Sequence, residues 1–246
     1  MNHTIQELYN RKSVRVFTGE PISKEKKELI LSAATQAPTA GNQQLYTIID
    51  VTDMELKKRL AETCDHQPFI AEADMVLVFV ADCQKWYEGF QDVGAAPRNP
   101  GVGDLMLAVT DTAIAAQNAV VAAESLGIGS CYIGDIMENA EIHKEILQLP
   151  EYVFPAVMLV FGYPTRQQVY REKPKRVELT HVVHKNVYRA MDAEERKEMW
   201  QEKAGVMSYE EWMRKFCERK YNSDFSKEMS RSVGVYLEKF LDHKSQ

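Results

Sequence analysis

The segment spanning residues 105–126, LMLAVTDTAIAAQNAVVAAESL, constrains the fold of this chain more than any other. It is rich in alanine and apolar around most of its circumference, so as a helix it has to be enclosed on nearly every side. Asp111, Gln117, Asn118 and Glu124 interrupt it, which makes it the buried spine of a folded core rather than a membrane span. Gly127 is placed to stop it, because glycine accepts the left-handed conformation that closes a helix.

The other elements are read around that spine. Ile5, Leu8 and Tyr9 predict a short opening helix that ends near the basic RKSVR segment. A second helix runs from about Ser23, with Leu29, Ile30, Ala33 and Ala37 on one face, and stops before Pro38. YTIIDV (residues 46–51) reads as a buried strand, a helix begins near Met54, and MVLVFVA (residues 75–81), apolar on both faces, reads as a central strand. FPAVMLVFGYP (residues 154–164) gives a third buried strand. Residues 84–103 carry Trp86, Tyr87 and Phe90 among glycines and prolines. They predict a long loop, either pinned to the surface by its aromatics or standing as a wall over a planar ligand. Beyond Asp192 the chain is strongly charged, and Phe225, Met229, Val233, Leu237 and Phe240 recur at helical spacing, an amphipathic tail that needs a surface to cover. Strands and helices do not alternate as a doubly wound sheet requires, so the expected class is α+β.

Composition narrows the function. A chain of 246 residues that is 45% hydrophobic buries one sizeable core. With 30 basic against 36 acidic residues and a net charge of −6, its surface is not built to hold nucleic acid or anionic lipid, so any phosphate site must be a local basic cluster. The amino terminus reaches polar residues at once, without the apolar run of a signal peptide, and Cys64, Cys83, Cys131 and Cys217 have no metal or disulfide spacing. A cytoplasmic protein with reduced thiols and no metal site is expected, with neither a nucleic acid nor a membrane as partner.

Four segments carry groups suited to chemistry. RKSVR puts Arg11, Lys12, Ser13 and Arg15 within five residues; if extended, Arg11, Ser13 and Arg15 share one side and offer guanidinium forks and a hydroxyl to an anion, although a solvated basic turn has the same sequence. PTAGNQQ supplies Thr39, Asn42, Gln43 and Gln44, whose mixed donors and acceptors suit the edge of a heterocycle, or simply a turn and a cap. GIGSCYIGD follows a helix, where a dinucleotide fingerprint follows a strand, so a Rossmann site is excluded; its glycines allow the backbone near Gly134 and Asp135 to approach a flat ring beside Tyr132, or mark a helix cap and turn. REKPKR is a second basic cluster, after a buried strand, and reads as a solvated face or as an anion clamp.

Together, in this order, the segments resemble the nitroreductase superfamily of FMN enzymes over most of the chain. RKSVRVFTGEPIS is similar to its amino-terminal flavin motif, TDTAIAAQNAVVAAESLGIGSCYIGD to its central helix and the turn beside the ring, and FGYP with KPKR to its second phosphate clamp. The similarity is greatest to the branch of the major oxygen-insensitive NADPH nitroreductase and the NADPH-flavin oxidoreductases. The resemblance implies a mixed, largely antiparallel sheet flanked by helices, with a long central helix and a C-terminal helical extension. It divides the chain into an FMN-binding core, residues 1–191, and an extension, residues 192–246, packed on the core or on a partner.

FMN is the implied cofactor, with NADPH or NADH as co-substrate, in a homodimer that passes hydride by a ping-pong cycle to a small electron acceptor such as a nitroaromatic or a quinone. The implied cofactor contacts are Arg11, Lys12, Ser13, Arg15, Thr39, Ala40, Asn42, Gln67, Tyr132, Ile133, Gly134 and Lys173, with Lys175 or Arg176 completing the clamp. Arg15 and Gly134 are the implied catalytic positions, Arg15 through its charge and Gly134 through its backbone. A reductase that releases reduced FMN, or a flavin-binding sensor without turnover, has the same motifs. Where NADPH-preferring relatives hold the 2′-phosphate, this chain offers Arg219 and Lys220 beside Glu218 and Asp224, which implies a weakened NADPH preference.

Overall fold

A computed structural model describes residues 1–241. Its backbone contacts divide the chain into two units, residues 1–171 with 229–241, and residues 172–228. Residues 242–246, the end of the expected extension, lie outside the described residues.

The first unit is built on four strands, β1 (Tyr46–Asp50), β2 (Met75–Asp82), β3 (Gly129–Ile133) and β4 (Val153–Gly162), in the order β1-β2-β4-β3. All three strand pairs are antiparallel, and a parallel bridge between Ser13 and Ser130 adds the mixed character. β2 is buried along its whole length and is central, as its two-faced apolar sequence requires. β1 lies at the edge, with Tyr46 buried, Ile48 and Ile49 half-buried and Thr47 and Asp50 exposed, so a partly exposed strand replaces the buried one expected there. Pro155 lacks an amide hydrogen, yet β4 is interior. The register shifts opposite it, Phe79 facing Val157 and Val80 facing Pro155, so a bulge absorbs the missing donor.

The helices of this unit are α1 (His3–Asn10), α2 (Lys24–Thr35), α3 (Met54–Thr63), α4 (Phe69–Glu72), α5 (Gln84–Asp92), α6 (Val102–Ser125), α7 (Ala140–Ile146) and α8 (Arg166–Tyr170). Alanine explains how α6 reaches the sheet: Ala115, Ala116, Ala119 and Ala123 are fully buried against Leu77, Phe79, Leu159 and Phe161. Alternate residues of β2, Val76, Val78 and Val80, face the opposite layer with Leu60, Cys64 and Ile70.

Two further expectations are corrected. Residues 84–92 are helical, because Trp86, Tyr87 and Phe90 fall on one face and Gly94, at φ 72°, ends the turn; the loop is confined to the stretch before α6. The residues after Gly127 (φ 74°) form β3 rather than a turn alone.

The second unit carries α9 (Ala193–Ala204), capped reciprocally by Asp192 and Glu195, and α10 (Tyr209–Lys220), capped by Ser208. Lys197 reaches Glu210 at 3.4 Å between them. The last helix, α11 (Asp224–Leu241), belongs to the first unit from Met229 onward. There it buries Ser232, Tyr236 and Phe240, with Val233 and Leu237 half-buried, so the covering face is rotated slightly from the predicted stripe. Tyr236 meets Phe154 and Phe240 meets Tyr152 edge-on, at 5.1 and 5.5 Å. The tail therefore covers its own chain.

Candidate functional site

The RKSVRVF segment is extended, and two glycines seat it. A Cβ on Gly129 would lie 2.6 Å from Val14 Cγ2, and one on Gly162 would lie 2.6 Å from Phe17 Cδ1, so both strands need glycine for the segment to lie against the sheet. Val14 N–H donates to Ser130 O at 2.9 Å and Thr18 N–H to Tyr163 O at 2.9 Å. With Val14 turned into the core, Arg11, Ser13 and Arg15 gather beside Cys131. Burial pushes that thiol up, and Arg15, Ser13 and Arg11 pull the other way without reversing it.

The Arg11 guanidinium lies 5.6 Å over the Tyr132 ring, and its Nε and Nη2 are buried without a hydrogen-bond partner. Tyr132 donates its hydroxyl hydrogen to Gln117 Oε1 at 3.0 Å, and burial pushes its phenol up to about 12 against the pull of Arg11, so it stays a neutral donor. Lys12 is a tie rather than an open cation: its Nζ donates to Val169 O at 2.6 Å and to Arg171 O at 2.5 Å. Arg171 returns a hydrogen bond to Ser13 O, and Gln168 Oε1 accepts from Arg15 N at 3.4 Å. Arg15 is exposed. Among the described residues, Arg11, Lys12, Arg15 and Arg171 have no carboxylate partner.

The Thr39–Gln44 loop winds through a 3₁₀ turn, Ala40–Asn42, with Gly41, Asn42 and Gln44 at φ 56°, 56° and 51°. Asp111, buried in α6, holds it by accepting from Ala40 N at 2.9 Å and Leu45 N at 3.2 Å. Thr39 Oγ1 accepts from Gln44 N at 3.2 Å. Gln67 follows Asp65 and His66, both at positive φ, and donates from Nε2 to Cys64 O at 2.8 Å. Ile133 ends β3, and Gly134 opens a 3₁₀ turn, Gly134–Met137, with no atom within 4 Å of where a Cβ would stand.

A cavity of about 320 Å3 lies beside the Gln43 end of that loop, walled by Trp86, Tyr87 and Phe90 of α5, by Pro97 and Pro100, and by Leu107. Trp86 Nε1 donates to Gln43 O at 2.8 Å, which joins this aromatic wall to the loop. Trp86, Tyr87 and Phe90 thus line this cavity from a helix rather than from the long loop expected for residues 84–103.

Lys173, Lys175 and Arg176 belong to the second unit, before a 3₁₀ turn at Leu179–His181. Lys173 is half-buried and Arg176 exposed, while Lys175 is ion-paired to Glu202 at 3.1 Å. Arg219 and Lys220 close α10 over the rings of Phe216 and Phe225, at 5.3 and 5.8 Å. Glu218 accepts from Asn222 and Asp224 pairs with Lys227, so neither carboxylate neutralises the basic pair directly. Among the described residues, no group of three or more His, Cys, Asp or Glu side chains is placed to hold a metal.

Sequence reasoning missed Asp111 and Gln168 as supports of the site. A carboxylate inside an otherwise apolar helix was the available signal for Asp111; Gln168 had none.

The chain as a whole is similar to known proteins. The profile of the Nitroreductase family matches residues 8–163. The FMN reductase [NAD(P)H] of Bacillus subtilis is 31% identical over 241 residues, 97% of this chain and 92% of that protein. The oxygen-insensitive NADPH nitroreductase of Salmonella typhimurium is 36% identical over 194 residues, 78% and 77% of the two chains. Among solved structures, the NADPH:FMN oxidoreductase of Vibrio harveyi complexed with NAD+ superposes with a TM-score of 0.82 at 26% identity, over 96% of this chain and 98% of that one.

Proposed function

The chain belongs to the nitroreductase family, and from that premise we propose that it is an FMN-dependent NAD(P)H oxidoreductase acting on flat electrophiles such as nitroaromatics and quinones. Bound FMN would supply a centre that takes a hydride from NADPH or NADH and passes it to the acceptor in a ping-pong cycle. The observation that carries this reading is the group of cations on the 11–15 segment with no carboxylate partner, above all Arg11 with two buried, unpartnered nitrogens beside Tyr132. A buried donor left unpaired costs about 1–3 kcal/mol, and an anionic ligand would remove that cost.

Each residue has a proposed task. Arg11 and Ser13 hold the anionic part of the cofactor, and Lys12 fixes their backbone from behind. Arg15 offers a fixed positive charge where negative charge develops during hydride transfer. Thr39, Ala40, Asn42 and Gln67 present amide and hydroxyl groups to the polar edge of the ring. Tyr132, Ile133 and Gly134 form the surface it lies against, Gly134 leaving room for close approach. Trp86, Tyr87 and Phe90 offer the acceptor a stacking wall.

The FMN-binding core is proposed to be residues 1–191, with residues 192–246 as its helical extension; Lys173 with Lys175 or Arg176 is carried as the second clamp by family resemblance. A cytoplasmic homodimer is proposed, supported by the apolar outer face of α6, where Met106 and Leu107 are exposed. The test is NADPH consumption with a quinone acceptor, which fails if the protein merely carries flavin. The relative named FMN reductase favours a second reading, supply of reduced FMN to another enzyme, and the ratio of turnover with nitrofurazone to turnover with free FMN separates the two.

A further inference from the structure

His143, on α7, is fully buried and used by none of the steps above. Its Nδ1 lies 2.9 Å from Ile136 O, and its Nε2 lies 2.9 Å from Thr63 Oγ1 and 3.9 Å from Cys64 Sγ. A carbonyl oxygen only accepts, so Nδ1 carries the hydrogen toward Ile136, and in the neutral ring Nε2 accepts from the Thr63 hydroxyl. Thr63 Oγ1 also lies 2.9 Å from Arg59 O, so its one hydrogen has two acceptors to serve. Asn139 Nδ2 donates to Thr63 O at 2.8 Å and reinforces the same junction.

Ile136 is in the 3₁₀ turn that Gly134 opens. Thr63 and Cys64 close α3 and start the left-handed loop through Asp65 and His66 that carries Gln67, whose side chain is itself bonded to Cys64 O. Neither segment is a strand, so no ladder of backbone hydrogen bonds fixes one against the other.

We propose that His143 is a positioning residue that sets the spacing between the Gly134–Met137 turn and the Cys64–Gln67 loop, the segments bringing Gly134 and Gln67 to the flavin. It touches neither cofactor nor substrate. The inference rests on the flavin reading for its consequence, while the bridge itself is testable without it.

The experiment compares wild type with His143→Gln, which keeps a polar group toward Thr63, His143→Asn, which keeps one toward Ile136 O, and Thr63→Val, which removes the far partner without changing shape. Amide hydrogen exchange is followed along the chain, and the dissociation constant for FMN is measured. Each substitution is expected to speed exchange in residues 64–67 and 134–137 together while β2 and β4 stay protected, and to raise the FMN dissociation constant about tenfold, the effect of one buried hydrogen bond. Thr63→Val keeps the test available if a His143 variant does not fold. A histidine that only fills the core would lower global stability and leave FMN affinity unchanged, which overturns the proposal, as does faster exchange in one segment alone. If wild type binds no FMN the flavin reading falls, and the exchange data still decide the bridge.

Discussion

Asp111, from the middle of α6, accepts the amide hydrogen of Ala40 at 2.9 Å across a gap of seventy-one residues in sequence. With the second bond from Leu45 N, it fixes both ends of a loop whose backbone is three times in the left-handed region. Asp111→Asn removes one acceptor and turns a donor toward a donor. It is expected to lower stability by about 1–3 kcal/mol and to weaken FMN retention, read by denaturant titration and by fluorescence of released flavin. Unchanged retention would remove the Thr39–Gln44 loop from the site.

Gly129→Ala is expected to destabilise the fold by about 1–3 kcal/mol, because its Cβ would stand 2.6 Å from Val14 Cγ2. Adding Val14→Ala should recover part of that loss. Gly134→Ala meets no atom within 4 Å, so it should fold normally yet bind FMN less well. Equal stability losses at the two glycines would contradict the separation of packing from function.

Arg15→Ala is expected to slow reduction of the bound cofactor by ten- to a hundredfold, the scale of a charge-assisted hydrogen bond of about 1.5–3 kcal/mol, with a smaller effect on its retention. Arg11→Ala should do the reverse. Rapid-reaction kinetics of the reductive step distinguishes the two, and an unchanged rate in Arg15→Ala excludes its proposed role.

Burial holds the His143 imidazole below its ordinary value, opposed by its contacts with the Ile136 and Glu138 backbone. The unfolded chain therefore takes up this proton first, and the stability tied to neutral His143, complete above about pH 6.5, is lost as pH falls below it. The Cys64 thiol lies 3.9 Å from the ring's Nε2, Asp135 and Glu138 act on that thiol, and Arg231 of α11 is paired to Glu141. Below that pH, Tm of wild type should fall more steeply than Tm of His143→Gln. Parallel profiles would assign the acid sensitivity elsewhere.

Arg219 and Lys220 are exposed and unneutralised by Glu218 or Asp224, and each lies over one aromatic ring at the end of α10. A modest NADPH preference is expected, and Arg219→Ala with Lys220→Ala should abolish it. A strong preference that survives both, in kcat/KM for the two nucleotides, would show that the 2′-phosphate is read elsewhere.

Much of this architecture is legible in the sequence where one residue pattern decides one element. The alanine spine, the two-faced apolar β2 and the helix start near Ser23 are local features, and the structure has them in place. Arg11, Ser13 and Arg15 also gather as their alternation requires. What is not legible depends on distant partners. Gly129 and Gly162 are glycines because of Val14 and Phe17, far away in the chain. β3 looks like a turn until β4 supplies its neighbour, and α5 looks like a loop because glycine and aromatics obscure its one-sided pattern. The tail's buried face is set by Tyr152 and Phe154, which no period within α11 encodes.

The central claim is that the Arg11–Arg15 segment and the Gly134 turn hold a flavin that NADPH can reduce. The most direct measurement is the visible spectrum of the purified protein before and after adding NADPH without air. A yellow protein that bleaches on NADPH, recovers its colour with a quinone, and releases FMN on denaturation is the predicted result. A colourless protein that fails to take up added FMN would contradict the account at its root.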